Sequence, residues 1–186
     1  MNIYLNLSGR SDKKQINLVT KVQSYLQDIG HKIVLDYLSK ENFEDFYKPT
    51  SFHIKHVYDQ ADSLMKKSDV VILETSTPSI TIGFQILHAL KHEKNVICLY
   101  TKGNRQLFIE GIDDERFQLW EYSEKNYKKV IDLALDNLFF ENDVRYNMML
   151  SKKMNLYLNK LSKKTKTPKA VYIRGLIKED MKGKDL

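Results

Sequence analysis

One cysteine, three prolines and seven glycines in 186 residues set the first limits on this chain. A lone Cys98 rules out a disulfide within the chain and a zinc cluster built on thiolates. It lies in the apolar run from Asn95 to Tyr100 and reads as a buried structural thiol. The scarcity of Gly and Pro leaves no low-complexity tract, and no internal repeat is visible. No stretch approaches the roughly 18 apolar residues that a membrane span requires. MNIYLNLSGR shows neither a basic region followed by an apolar run nor a cleavage site. The expectation is therefore a cytoplasmic chain with no membrane partner. The composition, 42% hydrophobic and 29% charged, is that of a globular protein.

Net charge is scarce over most of the chain and concentrated at its end. The net of +6 divides into 18 Lys+Arg against 20 Asp+Glu over residues 1–142 and 12 against 4 over residues 143–186. A short segment with that surplus suggests a polyanionic partner, because cations near phosphates release condensed counterions.

Apolar runs at Ile3–Leu7, Lys32–Leu35, Asp69–Leu73, Asn95–Tyr100 and Phe117–Trp120 alternate with helical patterns. Ile16, Val19, Val22, Tyr25, Leu26 and Ile29 recur at helical spacing, with Gly30 as the stop. Further helices are expected over His53–Lys67, Ile80–Lys91 and Glu124–Phe140. This rhythm predicts an α/β fold with a doubly wound, Rossmann-like parallel sheet of five strands. Ligands in such folds bind beyond the carboxyl ends of the strands, here Asn6 to Arg10, Asp36 to Tyr37, Glu74 to Gly83 and Thr101 to Gly111. A domain of residues 1–140, a linker of 141–143 and a second module of 144–186 follow from the apolar-free Glu141-Asn142-Asp143.

The second module reads as a strand over Val144–Leu150, with Arg145, Asn147 and Met149 on one face. Ser151 is expected to cap a helix carrying Met154, Tyr157, Leu158 and Leu161. Thr167-Pro168 opens a second helix carrying Val171, Ile173, Leu176, Ile177 and Met181. From Leu150-Ser151 through Tyr157-Leu158, Leu161-Ser162 and Thr167-Pro168-Lys169 to Tyr172-Ile173-Arg174, this segment resembles the ribbon-helix-helix family. That resemblance implies a homodimer or higher even-numbered oligomer whose paired strands enter the major groove of double-stranded DNA. Arg145, Asn147 and Met149 would then face base edges, and Thr167 and Lys169 a phosphate. Lys166 departs from the family, which often has Gly there.

In the first domain, Leu7-Ser8-Gly9-Arg10 brings a hydroxyl and a guanidinium to the sheet mouth, and Glu74 to Gln85 offers hydroxyls and helix-start amides to an anion. These motifs, with Arg116-Phe117-Gln118-Leu119-Trp120-Glu121-Tyr122, resemble the nucleoside 2-deoxyribosyltransferase superfamily and its deoxynucleoside 5'-monophosphate N-hydrolase branch. By that resemblance Ser8 and Arg10 hold the nucleotide, Ser79 binds its phosphate, and Glu74 and Gln85 line the pocket. The family's nucleophilic Glu is Gln85 here, and a neutral amide forms no glycosyl ester. Its assisting Asp aligns with Ala61, Asp59 and Asp62 lying nearby, and further pocket positions carry Thr81 and Gln106. The resulting expectation is a DNA-binding repressor whose nucleotide pocket has lost catalysis, needs no cofactor and serves a nucleotide effector. An active N-glycosidase and an antitoxin-like module with a protein partner are the alternatives. His88 and His92 are one turn apart and His53 and His56 three residues apart, yet the sequence shows no third ligand, so no metal site is expected.

Overall fold

A computed structural model describes residues 1–35, 51–138, 148–165 and 167–184, with the backbone alone at 35, 51–54 and 163. These residues fall into two compact units, 1–134 and 135–186. The expected linker at 141–143 lies outside the described residues.

The first unit is built on strands β1 Asn2–Asn6, β2 Lys32–Leu35, β3 Val70–Glu74, β4 Asn95–Thr101 and β5 Phe117–Tyr122. They form one sheet in the order β2-β1-β3-β4-β5, every adjacent pair parallel. The expected α/β sheet is thus present, with small shifts at strand ends. Asp69 falls just outside β3 because its backbone amide and its carboxylate are both used on Asn2, at 2.8 and 2.7 Å.

Helices α1 Lys13–Asp28, α2 Ser51–Lys67, α3 Ile80–Lys91, α4 Leu107–Glu110 and α5 Tyr127–Leu135 complete this unit. Successive strand residues point to opposite faces, which sorts the core into two sets. Tyr4, Val71, Leu73, Val96 and Cys98 pack with Met65 of α2 and with Ile82, Ile86 and Ala89 of α3. Ile3, Leu5, Val70, Ile72, Ile97 and Leu99 are equally buried and face the other way. Helices α1 and α5 associate with one another: the Tyr25 hydroxyl donates to Asp132 at 2.6 Å, Tyr25 meets Tyr127 edge to face, and Lys21 pairs with Glu124.

The α1 pattern appears as expected, with Leu18, Val19, Val22 and Leu26 buried. Gly30, at φ +88°, makes the left-handed turn that ends it. The helix expected over Glu124–Phe140 begins three residues later, because Asn126 Oδ1 accepts from both the amide and the hydroxyl of Ser123 and closes a turn first. The short α4 was not expected; it carries only Leu107, Phe108, Ile109 and Glu110 and has no periodic face to betray it.

The second unit holds α6 Lys152–Thr165 and α7 Lys169–Lys182. Ser151 caps α6 as expected, its hydroxyl accepting from the amide of Met154 at 3.2 Å. Thr167 does not cap α7. Its hydroxyl donates to the Thr165 carbonyl, and Pro168 occupies the cap position. Of the expected apolar face only Leu158 and Val171 are buried, whereas Met154, Tyr157, Leu176, Ile177 and Met181 are exposed. Two helices of this length cannot cover two apolar stripes between them. The strand expected over Val144–Leu150 lies partly outside the described residues, and Met148 to Leu150 form no strand. No helix among the described residues is long and apolar enough to cross a membrane.

Candidate functional site at the carboxyl ends of β1 and β3

The strand order reverses at β1, since β2 lies on one side of it and β3 on the other. In open sheets of this kind ligands bind in the crevice where the loops leaving two such strands diverge, at their carboxyl ends. Both loops begin helices, so two sets of first-turn amides lie near the crevice.

After β1, Ser8 is buried and its Oγ accepts from the amide of Arg10 at 3.2 Å. The amide of Ser11 donates to the Ser8 carbonyl at 2.9 Å. Ser8 therefore shapes a tight turn that leaves Arg10 exposed at the mouth. Asp12 then caps α1 in a capping box with Gln15, each side chain bonding the other's backbone amide. Gln15 Oε1 also accepts from the Thr77 hydroxyl at 2.7 Å, joining the first loop to the loop after β3.

That second loop is fastened to β4. Thr75 donates from its amide and its hydroxyl to the Leu99 carbonyl, at 2.8 and 3.0 Å, and Ser76 Oγ accepts from the amide of Thr101 at 2.8 Å. Ser79 then caps α3, its Oγ 3.4 Å from the amide of Ile82. A helix start held this way presents partial positive charge to an anion. Thr81 is exposed at this helix start, while Gln106, outside any side-chain cap, turns its amide to the Asn104 carbonyl.

Glu74 and Gln85, both expected at the pocket, are buried instead of presented. Glu74 has no exposed surface; one carboxylate oxygen accepts from the Ser76 amide at 3.2 Å. Burial raises its pKa above the usual carboxylate range, and the bond from Ser76 only partly opposes that. Burial, with the charge of Glu74, likewise raises the Tyr122 phenol.

Gln85 belongs to a buried relay of amides. The Leu7 amide donates to Asn6 Oδ1 at 2.9 Å, Asn6 Nδ2 donates to Gln85 Oε1 at 3.0 Å, and Gln85 Nε2 donates to the Tyr4 hydroxyl at 3.0 Å. Both amide ends of Gln85 are committed to β1. Sequence reasoning missed Tyr4 and Asn6 as its partners, although their two-residue spacing places them on one face of a strand ending at the pocket.

The positions considered for an assisting carboxylate lie on α2. Ala61 is half-buried, and Asp59 is exposed on α2. Asp62 is taken by Lys66 at 2.8 Å and by His88 Nε2 at 2.6 Å, and those two bonds hold its pKa below the usual range. A shift in register therefore brings no free carboxylate from Asp62.

In the second unit, Arg145 and Asn147 lie outside the described residues. Met149 is fully exposed, and Lys169 Nζ donates to Asn155 Oδ1 at 3.1 Å. Thr167 and Lys169 flank the start of α7.

No protein-family model matches the chain. Over 135 residues, covering 70% of this chain and 82% of the relative, it is 23% identical to the 5-hydroxymethyl-dUMP N-hydrolase of Rattus norvegicus. The enzyme of the same name from Tetraodon nigroviridis is 23% identical over 141 residues, covering 74% and 99% of the two chains. The solved CMP N-glycosidase of Clostridium botulinum superposes with a TM-score of 0.51 at 16% identity, over 71% of this chain and 99% of that one. These findings overturn the expectation of a DNA-binding transcriptional repressor. The similarity is to enzymes of nucleotide N-glycosidic chemistry, whereas the repressor reading stood on the tail's charge and helix spacing. What the chain carries is a parallel α/β domain similar in sequence to the 5-hydroxymethyl-dUMP N-hydrolases.

Proposed function

We propose that the first unit recognises a nucleoside 5'-monophosphate as nucleotide N-hydrolases do, and that Gln85 closes the covalent route to release of the base. The phosphate would lie at the start of α3, where Ser79 and the first-turn amides converge, with Arg10 reaching across from the other loop. The observation that carries the reading is the relay through Gln85. A side chain whose carbonyl accepts from Asn6 and whose amino group donates to Tyr4 is neutral, non-nucleophilic and held still.

Turnover by direct attack of water on the sugar is the second reading, favoured by the enzymatic names of the relatives. Calorimetric titration with a panel of ribo- and deoxynucleoside monophosphates, beside a chromatographic assay for free base, separates the two. Binding that weakens about tenfold in Arg10→Ala, with no base released, supports the first. Base release by the unaltered chain would establish the second, and absence of any nucleotide binding would sink both. Under the first reading Gln85→Glu should make base release measurable where the parent gives none.

The second unit we assign to self-association, since Met154, Leu176 and Ile177 leave apolar surface on two amphipathic helices uncovered.

A further inference from the structure

Beyond the crevice, one cluster of metal-ligating side chains stands out. The sequence offers His88 and His92 as a pair four residues apart, and the fold supplies a third group that no spacing rule could reveal: Asp62, from α2. The three residues' candidate ligand atoms all lie within 4.8 Å of one another. Asp62 and His88 are mostly buried, with 21% and 16% of their side chains exposed, and His92 is half-buried at the end of α3.

We propose that Asp62, His88 and His92 form a binding site for a divalent transition metal of the zinc class. Four-residue spacing on a helix sets both imidazoles on one side, as two ligands of a single ion require. A tetrahedral zinc with ligands at about 2.0–2.1 Å holds neighbouring ligand atoms roughly 3.3 Å apart. Asp62 Oδ1 and His88 Nε2 are now 2.6 Å apart, so the ion enters between them once they part by under an ångström, and His92 closes on it by side-chain rotation. The other carboxylate oxygen of Asp62 stays on Lys66 at 2.8 Å, orienting the ligand from outside the coordination sphere. Phe84 stacks on His88 at 5.4 Å and 16°, fixing the plane of that ring. With three protein ligands, the fourth position is left to water.

A plain strut between α2 and α3 accounts for the Asp62 bonds to His88 and Lys66, but it leaves His92 without a part. His92 stands edge-on to His88 at 4.6 Å. Lys66 faces the cluster from α2 and tempers its affinity for a cation. The site lies one helical turn beyond Gln85 on α3, and its assignment is independent of what the crevice binds.

The test is equilibrium dialysis of the tag-free, chelator-stripped full chain against zinc chloride, with bound metal counted by mass spectrometry. One zinc per chain is expected in the parent and in His31→Ala. Affinity should drop at least about tenfold in His92→Ala and in Asp62→Asn, whose circular dichroism should match the parent. Cobalt substitution of the unaltered chain gives a second readout, the visible absorption of a four-coordinate site. A parent that binds no stoichiometric zinc, or a His92→Ala variant that binds as well as the parent, would overturn the assignment and leave the strut.

Discussion

Gln85 and Glu74 make the same point at the scale of single residues: a side chain's position in a motif does not state whether it is presented or consumed. Alignment with a nucleotide-cleaving family placed both at the pocket. The neutrality of Gln85 was legible in the sequence, but its relay to Asn6 and Tyr4 was not, because two strand residues and a helix residue 79 and 81 positions away meet only in the fold. Glu74 carries a prediction. Its folded-state pKa is raised, so its burial costs nothing while it is protonated in both states, below the usual carboxylate range. The penalty grows as pH rises through the folded-state value and is complete above it. Glu74→Gln should therefore leave the melting temperature nearly unchanged at about pH 3.5 and raise it at about pH 8. Thermal melts across that range check the sign, and a variant destabilised at alkaline pH would show that the charge is needed.

Among the elements, strands were the most legible, because five short apolar runs bounded by turns admit few other readings. Helices were legible where an apolar stripe was unbroken, as in α1, and illegible where the element was one turn long, as in α4. The apolar spacing in α6 and α7 was read correctly as helical and wrongly as wholly buried, since periodicity reports a stripe and not what covers it. The start of α1 ties element to site. Asp12→Ala removes half of the capping box and should cost about 1 kcal/mol of stability by chemical denaturation. Because Gln15 also receives the Thr77 hydroxyl, the same change should loosen the loop after β3 and weaken nucleotide binding. Unchanged binding would mean that the two loops are set independently.

For the molecule as a whole, the described residues form two units, and the whole sheet belongs to the first. A chain ending at Leu138 should lose the helical signal of α6 and α7 but keep a cooperative thermal transition and its nucleotide affinity. By light scattering it should run as a monomer, whereas the full chain should run as a dimer or larger assembly. A truncated chain that still associates would move the contact to the first unit. The charge divide between residues 1–142 and 143–186 was plain from the sequence, but it led to a regulator where the relatives are enzymes, because a surplus of lysine describes a surface and not an activity.

The parallel sheet also governs the order in which this protein can be assembled. No hairpin starts it: β1 pairs with β2 some 30 residues further on and with β3 some 67 residues further on, and β5 joins last, at Phe117–Tyr122. Pairings so distant in sequence make for slow closure. As the chain leaves the ribosome, the apolar edge of β4 is uncovered until β5 emerges. Before that moment the exposed strand is the segment most in need of a chaperone, and a pause in translation just upstream of Phe117 would prolong the risk.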